Sequence, residues 1–224
     1  APFWGCQAPT PMTFDQPVEY TLQLDSSLLS VSVVAASLLV PWELVWGPDD
    51  WIWVSEEFGR ISRVNPQTGE KKTLLHLPIG ARPEGAQGMV VHPNPDAFPY
   101  VYIHYKQIKA DSVRYNILAR YTYADDTLVA PKIIMELVAG SSHTGSRLAF
   151  HDQNHILWAT GDQASHTAPQ DMNNLNGKVL RMDLQGKIPA DNPFPNSYVY
   201  AAGFRNMQGM VVSDKQHIYV SEHG

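Results

Sequence analysis

The stretch ELVWGPDDWIWVS, residues 43 to 55, is two short β-rich runs joined by Gly-Pro-Asp-Asp, and its grammar returns three times. The other copies are Met89 to Tyr105 (MVVHPNPDAFPYVYIHY), Leu148 to Thr160 (LAFHDQNHILWAT) and Met210 to Ser221 (MVVSDKQHIYVS). Each is a β-strand, a polar turn rich in Pro, Asp or Asn, and a second β-strand, which is the pattern of a hairpin. Val45, Val90, Ala149 and Val211 open corresponding positions, at intervals of 45, 59 and 62 residues. Such intervals approach the blade period of a β-propeller, with loop insertions lengthening the later ones.

Strand candidates fill the gaps: Arg60 to Val64, Lys72 to Leu77, Ile117 to Tyr123, Lys132 to Leu137 and Lys178 to Met182. No window longer than about ten residues keeps apolar positions at helical spacing, so helix is expected to be scarce. A two-sheet sandwich is also built of strands and polar turns, but it needs no hairpin repeated at a near-constant period. The expected fold is all-β, a propeller with about four blades' worth of sequence. It reads as a single, incomplete propeller domain over residues 1–224, with residues 1–27 as an arm leading into the first blade.

The chain has 224 residues, 44% hydrophobic and 17% charged, enough to bury a substantial core. A formal net charge of -6 without a basic stripe argues against nucleic acid as a partner. The longest apolar run, Leu28 to Trp42, is broken by Ser30, Ser32 and Ser37 and falls short of the roughly 20 residues of a spanning helix. Its alternation from Ser30 to Val33 suits a half-buried strand. One cysteine, Cys6, leaves the redox compartment open; Phe3-Trp4-Gly5-Cys6 is a weak match to a lipid-anchor site.

Pro and Gly concentrate in three connections: Leu77 to Gly88, Gly161 to Gly177 and Lys187 to Ser197. Long loops in compact domains are more often functional than structural, and these are the expected walls of a pocket. His143 stands on a turn between two serines and Thr144-Gly145, where an imidazole can serve as a base near neutral pH. Arg205 and Asn206, between Gly203 and Gly209, suit a planar carboxylate-bearing ligand and a developing oxyanion. Asp162 and Gln163, after the strand Ile156 to Thr160, read either as pocket groups or as turn residues. There is no phosphate-binding loop, dinucleotide fingerprint, His-Glu-x-x-His site or nucleophile elbow. His151 and His155 are four apart, but on a hairpin turn they share no helical face for zinc.

Taken in order, Leu39-Val40-Pro41-Trp42, Glu56 to Ile61, Glu84 to Gly88, His143 to Arg147, Gly161-Asp162-Gln163, Gly177 to Arg181, Ile188 to Phe194, Arg205 to Gly209 and Ser221 to Gly224 resemble one family. It is the soluble pyrroloquinoline quinone (PQQ)-dependent sugar dehydrogenases of the glucose/sorbosone dehydrogenase type, nearest the bacterial aldose sugar dehydrogenase branch. The resemblance implies a six-bladed propeller that oxidises the anomeric carbon of an aldose to a lactone and passes electrons to an external acceptor. By it, His143 is the general base, Arg205 stabilises the quinone oxyanion, and Gln87, Ser142, Asp162 and Asn206 lie against the cofactor. It also implies a calcium ion held in part by the backbone carbonyl of Gly224, and a periplasmic or secreted location.

Two local departures accompany it. Ser142 stands where the glucose dehydrogenase branch has an acid, and the turn at Glu84 to Gly88 is a residue short. Four hairpins do not close a six-bladed ring, so the remaining blades are expected on further chain or a separate polypeptide. These residues alone would then lack part of the cofactor's cradle and be inactive. Two other readings stay open: a calcium-dependent propeller lactonase working through metal-bound water, and a non-catalytic propeller that binds a protein or glycan.

Overall fold

A computed structural model describes residues 16–79 and 85–224. Cys6 and Glu84 therefore lie outside the described residues. The first pair of strands, β1 (Tyr20–Gln23) and β2 (Leu28–Val31), forms a small antiparallel sheet of its own. Next come β3 (Pro41–Trp46), β4 (Ile52–Glu56), β5 (Arg60–Val64) and β6 (Lys71–His76), a four-stranded antiparallel meander. The same meander is repeated by β7 (Gly85–Val91), β8 (Tyr100–Ile108), β9 (Arg114–Ala124) and β10 (Thr127–Val138). A third copy is β11 (Gly145–Phe150), β12 (His155–Thr160), β13 (Lys178–Asp183) and β14 (Val199–Ala202). The last pair, β15 (Met207–Val212) and β16 (Ile218–Glu222), supplies the two strands that begin each of the others. Among the described residues no helix forms.

All four predicted hairpins are present, as the pairs β3–β4, β7–β8, β11–β12 and β15–β16. In the first, Leu44 faces Val54 and Trp46 faces Ile52 across the ladder. The turn is fixed by Asp49, whose Oδ1 accepts Trp53 Nε1 at 2.9 Å and the Trp51 amide at 3.3 Å. The five strands expected between the hairpins are β5, β6, β9, β10 and β13. Unforeseen were β1 and β14, each four residues long, too short for alternation to show.

Alternation in the second strand of each sheet explains the stacking, because successive side chains point to opposite faces. Val101, Ile103 and Tyr105 of β8 pack against Trp53, Ile61 and Leu74 of the first sheet. Tyr102 leaves the other face to meet Leu148, Ile156, Trp158 and Leu180 of the third. Leu157 and Ala159 of β12 pack towards Met207 and Met210 of β15. These middle strands are buried on both faces, so their sequences are nearly continuous in apolar residues. The first strands, β3, β7, β11 and β15, are neighbours in succession, as blades meet around an axis.

This arrangement gives the molecule a functional end. The first strand of each sheet starts there and the second finishes there. The starts of β3, β7, β11 and β15 and the ends of β4, β8, β12 and β16 therefore share one rim.

Candidate active site

The base predicted from sequence sits on this rim, held by the backbone before β11. His143 has φ 53° and Ser146 φ 99°, left-handed values that side chains rarely adopt and that only surrounding structure can impose. Gly161 permits the turn: a Cβ there would lie 1.8 Å from the His143 carbonyl oxygen. A Cβ on Gly88 would meet the Ser146 carbonyl at 2.0 Å, so β7 and β11 approach backbone to backbone.

Asp162, just past β12, places its Oδ1 2.9 Å from His143 Nδ1. It also accepts the Ala164 amide at 2.8 Å, and its own amide donates to the Arg205 carbonyl at 2.7 Å. A carboxylate at Nδ1 selects the tautomer with its proton there and leaves the Nε2 lone pair as acceptor. Among the described residues nothing bonds to Nε2. The side chain of His143 is 22% exposed and that of Asp162 9%, so the pair is largely sheltered from solvent.

The other expected residues gather here. Asn206 Oδ1 accepts the Gly145 amide at 3.1 Å and Gln208 Nε2 at 2.9 Å. Gln87, in the bulge of β7, turns Nε2 to Thr144 Oγ1 at 3.4 Å, while its Oε1 is buried without a partner. Arg205 Nη1 donates to the His223 carbonyl at 2.8 Å. Gly224 lies alongside, since a Cβ on it would stand 3.6 Å from Arg205 Cδ. Ser142 is exposed and makes no bond to His143; the carboxylate that orients the base is Asp162.

Three residues that sequence reading had not given a role hold the set in place. The Glu222 carboxylate accepts the amides of both Arg205 and Asn206. Lys178 is fully buried, and its ammonium donates to the carbonyls of Ala168 at 2.7 Å and Asn176 at 3.0 Å, tying down the loop from Gly161 to Gly177. Burial pushes the Lys178 ammonium below the usual lysine value, with Asp171 opposing. Arg147 donates through Nε and Nη2 to the Gln208 carbonyl at 2.9 and 2.7 Å, pairs with Glu43 and stacks 4.6 Å from the Trp42 ring. Burial raises the Glu43 carboxyl above its ordinary value even with Arg147 beside it. Glu222 stands at the repeat position of Glu56, the first residue after its hairpin, where the other two hairpins are followed by Lys106 and Gly161. The loops Gly161 to Gly177 and Lys187 to Ser197 do wall one groove, lined by Met172, Leu175, Ile188, Phe194 and Tyr198.

The fit to the implied groups differs. A quinone placed here would meet an imidazole nitrogen with no bonded partner among the described residues, a buried unpartnered amide oxygen on Gln87 and the cation of Arg205. For calcium, the named ligand is Gly224 O. Among the described residues no cluster of three His, Cys, Asp or Glu side chains could hold a metal, and calcium takes six to eight oxygens. No helix among the described residues is long and apolar enough to cross a membrane.

Comparison with known proteins places this rim in context. Residues 38–224 match the family model described as Glucose / Sorbosone dehydrogenase. The chain is 34% identical over 227 residues to quinoprotein glucose dehydrogenase B of Acinetobacter calcoaceticus, covering 86% of this chain and 48% of that protein. It is 24% identical over 210 residues to an aldose sugar dehydrogenase of Escherichia coli (strain K12), covering 88% and 57%. The chain thus spans about half the length of the curated relatives it matches. Among solved structures, the PQQ-bound form of aldose sugar dehydrogenase from Streptomyces coelicolor superposes with a TM-score of 0.78 at 30% identity, over 93% of this chain and 60% of that one. The repeated four-stranded sheets match blades of that propeller, and with the family model covering all but the first 37 residues, the chain belongs to the glucose/sorbosone dehydrogenase family.

Proposed function

We propose that the protein containing this chain is a PQQ-dependent aldose dehydrogenase that oxidises the C1 hydroxyl of an aldose to a lactone. The observation that carries the reading is the His143–Asp162 pair, which leaves an imidazole nitrogen open at the rim where Gln87, Asn206 and Arg205 converge. PQQ, when bound, supplies the two-electron acceptor for hydride from C1.

The chain's own residues do the rest. His143 Nε2 takes the C1 hydroxyl proton as the C1–H bond breaks. Asp162 holds the ring in the accepting tautomer and steadies the imidazolium that forms. The Arg205 guanidinium offers paired N–H donors to an oxygen that gains negative charge. Gln87 and Asn206 present amide groups that fix a planar ligand against the ends of β7 and β15. Ser142, exposed beside the base, would lie against the quinone. The Gly224 carbonyl would contribute one oxygen to a calcium ion, with no step assigned to it. Electrons leave to an external acceptor, and a periplasmic or secreted setting suits these partners.

The test is addition of PQQ followed by an aldose. The reading predicts a change in quinone absorbance on binding, then aldose-dependent dye reduction with lactone as product. Lactone hydrolysis without quinone would instead indicate the hydrolase reading, and quinone binding without any aldose-dependent reduction would reject the dehydrogenase.

A further inference from the structure

The first strands, β3, β7, β11 and β15, each carry a β-bulge at the rim end. Across β3 and β4, Pro41 faces Glu56 and Glu43 faces Ser55, so Trp42 is the extra residue. The matching slips fall between Ala86 and Met89 in β7, between Gly145 and Leu148 in β11, and between Met207 and Gly209 in β15. A bulge breaks the alternation of faces and re-aims a side chain, and bulges recur beside active sites. Three of the four present a residue of the network around His143. Gln87 reaches Thr144, Arg147 reaches the Gln208 carbonyl, and Gln208 reaches Asn206. The fourth presents Trp42.

Trp42 is half-buried and turns its ring to the same centre, where the Arg147 guanidinium stands 4.6 Å from the ring centroid. Among the described residues no other cation or aromatic ring stacks on it, and its indole N–H makes no hydrogen bond. Trp46 and Trp53, by contrast, give theirs to Asp50 and Asp49 at 3.3 and 2.9 Å, in the turn at the far end of the hairpin. Nor does Trp42 belong to any of the apolar clusters that join the sheets. Arg147 is itself fixed on two sides, by the Glu43 carboxylate of β3 and by its two bonds to the Gln208 carbonyl of β15. Between the first strands runs a channel of about 390 Å³, and among its lining residues the charged ones are Glu43 and Arg147, both near the rim end. The stacked pair of Trp42 and Arg147 thus stands where this channel meets the rim, level with the bulge that carries Gln87.

We propose that Trp42 is the stacking surface for the ring system of the quinone. A flat fused ring buries one face against an indole without a directed hydrogen bond, which complements the amide groups that Gln87 and Asn206 offer to its polar atoms. The identity of the ligand rests on the dehydrogenase reading; the place of Trp42 in the site is carried by the bulge and by Arg147.

Titration of the full protein with PQQ, followed by the quinone's absorbance and paired with aldose-dependent dye reduction, tests it in the wild type and in Trp42→Leu and Trp42→Phe. W42L lowers the affinity for PQQ roughly five- to tenfold and removes most of the shift in the bound quinone's absorbance band, whereas W42F, which keeps an aromatic face, holds the affinity within about threefold. Thermal unfolding of the quinone-free variants shows which are folded, and Trp42→Met replaces W42L if that variant is not. Wild-type affinity and absorbance in the folded non-aromatic variant, or a loss in W42F as complete as in W42L, would overturn the proposal while leaving quinone-linked aldose oxidation standing. A change confined to the KM for aldose, with quinone affinity untouched, would place the indole against the sugar and overturn it as well. Failure of the wild type to bind PQQ would reject the dehydrogenase reading and this proposal with it.

Discussion

The first and third sheets each carry a carboxylate near the end of the second strand and use it in opposite ways. At the end of β4, Glu56 is fully buried and saturated: Arg60 Nε and Nη2 each donate to it at 2.6 Å, Ser62 Oγ at 3.1 Å and the Leu39 amide at 2.5 Å. Just past β12, Asp162 spends one oxygen on an imidazole whose other nitrogen is left open. In each case the partner decides whether the acid stabilises the fold or orients a base. Arginine, with no proton to give or take near neutral pH, makes the first site inert, and histidine makes the second reactive.

Substitutions at the two positions should therefore separate chemistry from stability. His143→Gln, which keeps a polar side chain but loses the base, should lower aldose oxidation by roughly 10²–10⁴-fold with quinone affinity little changed. Steady-state turnover beside a quinone titration checks this. Arg205→Ala should lower turnover by about 10²–10³-fold and weaken quinone binding as well, because the same cation serves both. Asp162→Asn should cost roughly ten- to a hundredfold in turnover, since the base survives but its orientation and tautomer are no longer fixed. Normal turnover in D162N would make the two acids equivalent and dissolve the contrast.

Glu56→Gln should leave the chemistry in place and cost about 2–3 kcal/mol of unfolding free energy, the range for hydrogen bonds to a charged group. It should also change the acid limb of stability. Burial acts to raise the Glu56 carboxyl, but Arg60, the Leu39 amide and Ser62 together hold it below its ordinary value of 4.5. A depressed carboxyl contributes stability that is fully present above pH 4.5 and is lost as the pH falls through the lower folded value. Chemical denaturation as a function of pH should show this loss in the wild type and a flatter acid limb in E56Q.

The sheets were legible because both faces of each middle strand are buried, which leaves a run such as His155-Ile-Leu-Trp-Ala-Thr160 with no plausible reading but strand. The strand β14 was not, because Val199–Ala202 is four residues behind a Pro-rich loop and is defined by pairing with β13. At the site, glycine-flanked turns marked His143 and Arg205. The alliance of His143 with Asp162 could not be read, because it depends on a left-handed turn at His143 that brings together groups 19 residues apart.

The account turns on proton removal by His143 coupled to loss of hydride from C1. The direct measurement is dye reduction by the PQQ-loaded protein with an aldose deuterated at C1, read against the protiated sugar, with product analysis. A primary isotope effect together with a C1 lactone is the predicted result. Reduction with no isotope effect under conditions where chemistry limits the rate, or a product oxidised elsewhere on the sugar, would contradict it.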